Sequence, residues 1–122
     1  MGKLLTPRRV LIVDDNCDAA DMVGALLEAC GCAIMVAYGG QQALSIADDF
    51  KPDVIFLDIN MPGMDGYQAA TALRQRASGS TARIVALTAM NDAASRATMA
   101  AVGFDGHLAK PASLESLIGA TR

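Results

Sequence analysis

Residues 54–58 read VIFLD, four large apolar side chains in a row followed directly by an aspartate. A continuous apolar run, rather than an alternating one, is typical of a strand covered on both faces, as in a parallel sheet between layers of helices. Residues 10–15 read VLIVDD and repeat the arrangement, with two acids after the apolar run. These two stretches predict buried parallel strands that carry carboxylates at their ends.

Short apolar runs recur five times, at residues 9–13, 33–37, 54–57, 83–87 and, more weakly, 104–109. A segment of helical character follows each of them. This alternation, (βα)5, predicts an α/β fold with a parallel sheet, right-handed crossovers and helices on both faces. Because five strands are too few for an eight-stranded barrel, we expect an open doubly wound sheet with the flavodoxin-like strand order 2-1-3-4-5.

The helices are predicted from apolar side chains that recur every three or four residues. In the first helix, Val23, Leu26, Leu27 and Cys30 form such a stripe, and Gly31 stands where the helix would end. The other four are marked by Ala43, Ala47 and Phe50, by Ala69, Ala70 and Leu73, by the alanine-rich residues 91–102 before Gly103, and by Leu114, Leu117 and Ile118 after a capping Ser113.

Length and composition limit the class of protein. A chain of 122 residues has the size of one domain, so we expect a single domain over residues 1–122 with a core at about 9–118. Thirteen acidic against ten basic residues give a net charge of −3, which argues against nucleic-acid binding by the chain itself. No apolar run approaches the roughly 18 residues that would span a bilayer, and we find no signal peptide. We therefore expect a cytoplasmic protein without a membrane partner.

The three cysteines, Cys17, Cys30 and Cys32, predict neither a disulfide framework nor a zinc site. Their number is odd, Cys30 and Cys32 are separated by one residue rather than two, and His107 is the single histidine of the chain. We expect inert thiols, either buried as small apolar side chains or exposed at the surface.

Polar side chains follow four of the five predicted strands. Asp14 and Asp15 follow the first strand, Asp58 the third, Thr88 the fourth and Lys110 the fifth. In the order 2-1-3-4-5 the first and third strands are neighbours, so three carboxylates meet at the edge where such sheets carry their function. Mutually repelling carboxylates suit a hard divalent cation with oxygen ligands, and the candidate is Mg²⁺.

The same strand ends predict phosphoryl transfer. A lysine and a hydroxyl beside a cation can hold phosphoryl oxygens, an aspartate can act as the nucleophile, and catalysis then depends mostly on positioning. Nucleotide binding is not predicted, because the sequence contains neither GxxxxGK[ST] nor a GxGxxG after the first strand. A calcium loop beginning at Asp58 also fails, because Ala69 stands where a bidentate Glu is required.

Four segments together resemble the receiver domains of two-component response regulators and hybrid histidine kinases. The resemblance covers about residues 9–118 and implies that Asp58 accepts a phosphoryl group from a phosphohistidine on a histidine kinase or a histidine phosphotransfer domain. It implies a signalling phosphoacceptor whose phosphorylation and dephosphorylation are self-catalysed, rather than an enzyme with turnover. The segments are VLIVDD at 10–15, DVIFLDINMPGMDG at 53–66, ALTA at 86–89 and GFDGHLAKP at 103–111.

The resemblance also implies how the cation and the phosphoryl group are held. Lys110 would pair with Asp58 at rest and with the phosphoryl oxygens afterwards. The Mg²⁺ ligands would be the carboxylates of Asp14, Asp15 and Asp58 and the backbone carbonyl of Asn60, with Asp14 acting through water.

A switch around the fourth and fifth strand–helix units is implied as well. Thr88 would turn inward to hydrogen-bond the phosphoryl group, and a side chain three positions before Lys110 would report the change. That position is His107, where the family more often has Tyr or Phe. Phosphorylation-dependent dimerisation through the same units is left open.

Two other functions fit the same residues less well. A haloacid-dehalogenase-like aspartyl phosphatase also uses an Asp nucleophile and Mg²⁺, but it needs a second Asp two residues later as general acid, and here that residue is Asn60. A degenerate receiver that binds partners without phosphorylation would be suggested by loss of an acid, the threonine or the lysine, and none is lost. The sequence leaves open a stand-alone regulator and a piece of a hybrid kinase, with a slight preference for the second.

Overall fold

The computed structural model describes residues 7–76, 81–88, 93–110 and 112–121. Five strands alternate with five helices along these residues, as the apolar runs predicted. The strands are β1 (Arg9–Val13), β2 (Ala33–Ala37), β3 (Val54–Asp58), β4 (Arg83–Thr88) and β5 (Gly106–Ala109), and the helices are α1 (Cys17–Ala29), α2 (Gly40–Phe50), α3 (Gly66–Arg74), α4 (Ala93–Val102) and α5 (Leu114–Thr121).

The strands form one parallel sheet in the order β2-β1-β3-β4-β5, which confirms the predicted doubly wound fold. β1 pairs with both β2 and β3, with Val13 opposite Ala37 on one side and opposite Leu57 on the other. The acids after Val13 and the acid after Leu57 are therefore next to each other at the carboxyl end of the sheet.

The two faces of the sheet carry two apolar clusters, because successive side chains of a strand point to opposite faces. One face packs α2, α3 and α4 against residues such as Leu11, Ile55 and Ile84. The other packs α1 and α5 against residues such as Ile12 and Phe56. Helices thus cover both faces, as expected from the continuous apolar runs of β1, β3 and β4.

The predicted apolar stripe of the first helix is partly wrong. Leu26 is 37% exposed, and Cys30 is exposed at the end of the helix. The reason is the close approach of α1 to β2, where a Cβ at Gly24 would lie 2.9 Å from Ile34 Cδ1. Small residues of α1 therefore face the sheet, and its buried residues are Ala20, Gly24 and Leu27.

Several element ends differ from prediction by one or two residues. β4 includes Thr88, and β5 begins at Gly106 rather than at residue 104. Phe104 is buried without belonging to the strand, since its N–H donates to Met99 O and its ring packs edge-on against Tyr67. The predicted helix start at residues 91–92 and the position of Pro111 lie outside the described residues.

Other local predictions hold. Ser113 caps α5, with its Oγ accepting from Ser116 N at 3.1 Å. Ala43 and Ala47 of α2 and the stripe of α3 are buried. Cys17 and Cys30 are exposed and Cys32 is half-buried, which fits the surface-thiol alternative. None of the described helices has the length and apolar character needed to cross a membrane.

Candidate functional site

Three acids meet at the carboxyl end of the sheet. Asp14 and Asp15 follow β1, and Asp58 is the last residue of the neighbouring strand β3. One carboxylate oxygen from each of the three lies within 4.8 Å of the others. Asp14 and Asp58 are buried, with 2% and 4% of their surface exposed, whereas Asp15 faces solvent. The adjacency predicted from the strand order therefore brings together two buried carboxylates and one exposed carboxylate.

Backbone N–H groups orient the two buried carboxylates. Asp14 Oδ1 accepts from Asn16 N at 3.0 Å, and Asp58 Oδ1 accepts from Asn60 N at 3.2 Å. The backbone of Asp14 is fixed in turn, because its N–H donates to Ala37 O at the end of β2 at 3.1 Å. Each buried carboxylate is thus held by the loop that follows it.

Lys110 reaches the same site from the end of β5. Its Nζ lies 3.0 Å from Asp14 Oδ2 and 3.6 Å from Asp58 Oδ2, and its own N–H donates to Thr88 O at 2.9 Å. The resemblance implied a resting pair with Asp58, and the structure gives a shorter contact with Asp14. One ammonium group therefore serves both buried carboxylates, since no other ion pair is found at either of them among the described residues.

The crowding of like charges changes the titration of the site. Burial, the charge of Asp14 and a hydrogen bond with Asp14 raise the pKa of Asp58 to about 6, and Lys110 and the Asn60 N–H only partly oppose this. Burial by itself lowers the pKa of Lys110, but the hydrogen bond to Asp14 and the charges of Asp58 and Asp14 outweigh it and raise that pKa. The Lys110 ammonium group therefore stays protonated, whereas the Asp58 carboxyl ionises less readily than an ordinary aspartate.

The donor set fits a hard divalent cation. Three carboxylates against one ammonium leave an excess of two negative charges when all are ionised, and every available ligand atom is oxygen. Oxygen ligands of this kind are those that Mg²⁺ takes in proteins, together with retained waters. Asn60 is exposed directly after the buried end of β3, so the loop that would offer its carbonyl lies beside the acids.

Gly66 lies directly against the backbone of Asp58 and Ile59. A Cβ at this first residue of α3 would lie 2.5 Å from Asp58 O and 2.6 Å from Ile59 Cα. Gly66 N also donates to Ile59 O at 2.9 Å, and Asp65 caps α3 in a reciprocal pair with Gln68. Glycine is needed here because a Cβ would collide with this backbone. Its conformational freedom is not the reason, since the φ of Gly66 lies outside the left-handed region.

The remaining predicted residues lie at β4 and β5. Thr88 is buried as the last residue of β4, with Ala109 opposite it. His107 is half-buried in β5, opposite Ala86, which places it on the same face of the sheet as Thr88 but two residues further from the acids. The structure therefore brings Thr88 and Lys110 to the site and places His107 in the strand that leads to it.

A second charged cluster, which the sequence does not predict, lies at the opposite end of the sheet. Arg74, the last residue of α3, donates to Gly103 O at 2.7 Å and to Ala82 O at 2.5 Å, and pairs with Asp105 at 2.6 Å. Asp105 also accepts from Ile84 N at 2.8 Å. A crevice of about 880 Å³ lies beside this cluster. The sequence gives no signal for it, since arginine at a helix end is ordinarily solvated.

Comparison with known proteins finds relatives that cover most of this chain. Residues 10–122 match the family described as the response regulator receiver domain. Protein PilG of Pseudomonas aeruginosa is 32% identical over 114 residues, which are 93% of this chain and 84% of PilG. The structure of chemotaxis protein CheY4 of Vibrio cholerae superimposes with a TM-score of 0.90 at 32% identity, covering 93% of this chain and 95% of that one.

A response regulator of Burkholderia pseudomallei, solved with a phosphorylated aspartic acid, a calcium ion and citrate, has a TM-score of 0.86 at 30% identity and covers 94% of this chain and 66% of that one. Other curated relatives are longer. This chain spans 44–49% of several regulators and 12% of the sensor protein GacS of Pseudomonas syringae. With the match over residues 10–122, the strand order 2-1-3-4-5 and the acids at its rim, the chain belongs to the response regulator receiver domains of two-component signalling.

Proposed function

We propose that this chain accepts a phosphoryl group on Asp58, in a reaction that requires Mg²⁺. The observation that carries the proposal is the convergence of three carboxylates within 4.8 Å, with Lys110 in reach of the two buried ones. Such a site has a nucleophile, a place for a cation and a fixed positive charge, the parts that phosphoryl transfer needs.

Asp14, Asp15 and Asp58 would hold the cation through carboxylate oxygens, and Asn60 through its backbone carbonyl. Magnesium, when bound, would neutralise charge on the phosphoryl oxygens during transfer. The fit rests on the excess of carboxylates over ammonium groups at the site. A similar protein solved with a phosphorylated aspartic acid and a calcium ion supports a cation beside the acceptor.

In the transfer, an Asp58 carboxylate oxygen attacks phosphorus and the bond from phosphorus to the partner's imidazole nitrogen breaks. The nitrogen keeps the electron pair of that bond and is released as imidazole. Asn60 N–H holds Oδ1 of Asp58, so Oδ2, on the side of Lys110, is the oxygen we assign as nucleophile. Lys110 would then contact the phosphoryl oxygens in place of the carboxylates. Its positive charge is already in position, so this stabilisation needs little rearrangement of the site.

Phosphorylation would be read out through β4 and β5. It adds roughly −1.5 to −2 charges and strong acceptor oxygens next to Thr88 and Lys110. Lys110 is joined to Thr88 by a backbone hydrogen bond, so movement at one strand end reaches the other. His107 would follow as the reporter on β5. A phosphorylation-dependent dimer would use the helices beside these two strands.

Receiver domains act with histidine kinases or phosphotransfer proteins, and we propose one of these as donor. The net charge of −3 supports a protein rather than a nucleic acid as the direct partner. We propose a cytoplasmic role, and a single receiver domain over residues 1–122, either alone or as a part of a hybrid kinase.

The proposal is tested by intact mass after incubation with acetyl phosphate, with and without Mg²⁺. We expect wild type to gain one phosphoryl group only when Mg²⁺ is present and Asp58→Asn to gain none. Asp65→Asn, in the following loop, is the matched control and should be phosphorylated. A folded wild type that binds Mg²⁺ and gains no mass would favour a degenerate receiver. Rapid steady turnover of acetyl phosphate would favour a phosphatase.

A further inference from the structure

The loop between β3 and α3, residues 59–65, contains the backbone N–H that holds one oxygen of the Asp58 carboxylate. Its ends are fixed, because Ile59 N donates to Leu87 O at 3.2 Å and Gly66 N to Ile59 O at 2.9 Å. Between these ends, Asn60 N donates to Asp58 Oδ1. A shift of the loop would therefore rotate or release the carboxylate.

Two methionines anchor this loop to the rest of the molecule. Met61 is buried in the apolar cluster, and Met64 packs half-buried against the same cluster. Pro62 and Gly63 between them are exposed, and Gly63 has a φ of 78°, which turns the chain so that both methionines point inward. Met64 is thus the last apolar anchor before α3.

Met64 rests on Gly40, the buried first residue of α2. A Cβ at Gly40 would lie 2.6 Å from Met64 Sδ, 2.8 Å from Cγ and 3.0 Å from Cβ. Gly40 is not among the residues of positive φ, so its backbone does not require glycine. The absence of a side chain at residue 40 is what allows Met64 to pack there.

The turn that carries Gly40 is also tied to the other acids. Ala37, three residues earlier, accepts the hydrogen bond from Asp14 N, and Tyr38 donates through its hydroxyl to Asp21 of α1 at 2.7 Å. Residues 37–40 therefore contact Asp14 through Ala37 and the loop after Asp58 through Gly40, which touches Met64.

From these contacts we infer that Met64, seated on Gly40, is a positioning residue that holds the loop of Asn60 in place and thereby orients Asp58. The inference deepens the proposed function, and it rests on that function for the role of Asp58. Its effect on Asp58 is indirect, because Met64 acts through the backbone of the loop.

The test measures Mg²⁺ affinity by calorimetry and hydrogen exchange at the Asn60 amide without metal. We expect Met64→Ala to weaken Mg²⁺ binding about tenfold, as loss of residues that orient ligands does, and to speed exchange at Asn60. Met64→Leu should retain both properties, since it fills the same space. Gly40→Ala should have the same two effects as Met64→Ala, because its methyl group would displace the Met64 side chain. In the double variant the methyl group occupies the space that Met64 leaves, so Mg²⁺ affinity and Asn60 exchange should be no more impaired than in either single variant.

Leu117→Ala is the control, since Leu117 is buried in the cluster on the opposite face of the sheet. It should lower the melting temperature at least as much as Met64→Ala and leave Mg²⁺ affinity unchanged. A Met64→Ala protein with lowered melting temperature but normal affinity and normal Asn60 exchange would reduce Met64 to a packing role. If wild type bound no Mg²⁺ while Met64→Ala still released Asn60, the proposed function would fail and this inference would stand.

Discussion

The charged clusters at the two ends of the sheet differ in how their charges are balanced. At the carboxyl end, Lys110 faces three carboxylates, two of them buried. At the other end, Arg74 pairs with Asp105 and donates to the carbonyls of Ala82 and Gly103. In the first cluster, burial and the excess of negative charge raise the pKa of Asp58, whereas the second pairs Arg74 with Asp105, one charge of each sign among the described residues. A cluster that repels itself is suited to a ligand, and a balanced cluster is suited to holding the fold.

Removal of Arg74 should produce the largest loss of stability. We expect Arg74→Ala to lower the free energy of unfolding by about 2–4 kcal/mol, because it leaves the carbonyls of Ala82 and Gly103 without their charged donor. Asp105 adds little to this loss, since it is exposed and keeps the hydrogen bond from Ile84 N. Urea unfolding measures the change. Arg76→Ala is the control: Arg76 pairs with Asp48 at the surface, so its loss should cost less than about 1 kcal/mol. Weakened Mg²⁺ binding in a folded Arg74→Ala protein would contradict the separation of the two ends.

Neutralisation of Asp58 should have the opposite sign. Without divalent cations at pH 7, Asp58→Asn should raise the free energy of unfolding by about 3 kcal/mol, because the pKa of Asp58 is raised from 3.8 to about 6 and each unit represents about 1.4 kcal/mol against the charged form. Asp15→Asn, at the exposed acid of the same group, should change it by less than about 0.5 kcal/mol. A less stable Asp58→Asn protein would show that the site is not under electrostatic strain.

The raised pKa of Asp58 also predicts that the free energy of unfolding depends on pH and that Mg²⁺ removes this dependence. The pKa of Asp58 is about 6 in the folded chain and 3.8 in a model carboxyl, so the folded state binds more protons between these values. The stability that the protonated group contributes is fully present below pH 3.8 and is lost as the pH rises through about 6. The difference between wild type and Asp58→Asn in the free energy of unfolding, measured at several pH values, isolates the contribution of Asp58. Saturating Mg²⁺ should abolish the loss, since it binds the ionised carboxylates of the folded state.

Sequence patterns predicted the fold and the meeting of the acids well, because both follow from strand order. VIFLD and VLIVDD are continuous apolar runs that end in acids, and a parallel sheet places such ends side by side. Packing against small residues was not predictable in the same way. Gly24 rather than Leu26 faces β2, and Gly40 receives Met64, and neither contact leaves a periodic signal.

Long-range hydrogen bonds were also beyond sequence reasoning. Arg74 contacts Gly103 and Asp105 across about thirty residues of chain, and nothing in the local sequence distinguishes it from Arg76, which lies at the surface. The contact of Lys110 with Asp14 is also long-range, because it joins the ends of β5 and β1, between which β3 and β4 lie. Chemistry carried by residue type was predictable, and geometry set by side-chain packing was not.

The most direct measurement of the central claim is the position of the phosphoryl group. Wild type phosphorylated by acetyl phosphate with Mg²⁺ is treated with borohydride, which reduces an aspartyl phosphate to homoserine, and is then mapped by peptide mass spectrometry. We predict homoserine at residue 58 alone, and none when Mg²⁺ is withheld. Homoserine at Asp14 or Asp15, or modification that persists in Asp58→Asn, would contradict the assignment of Asp58 as the acceptor.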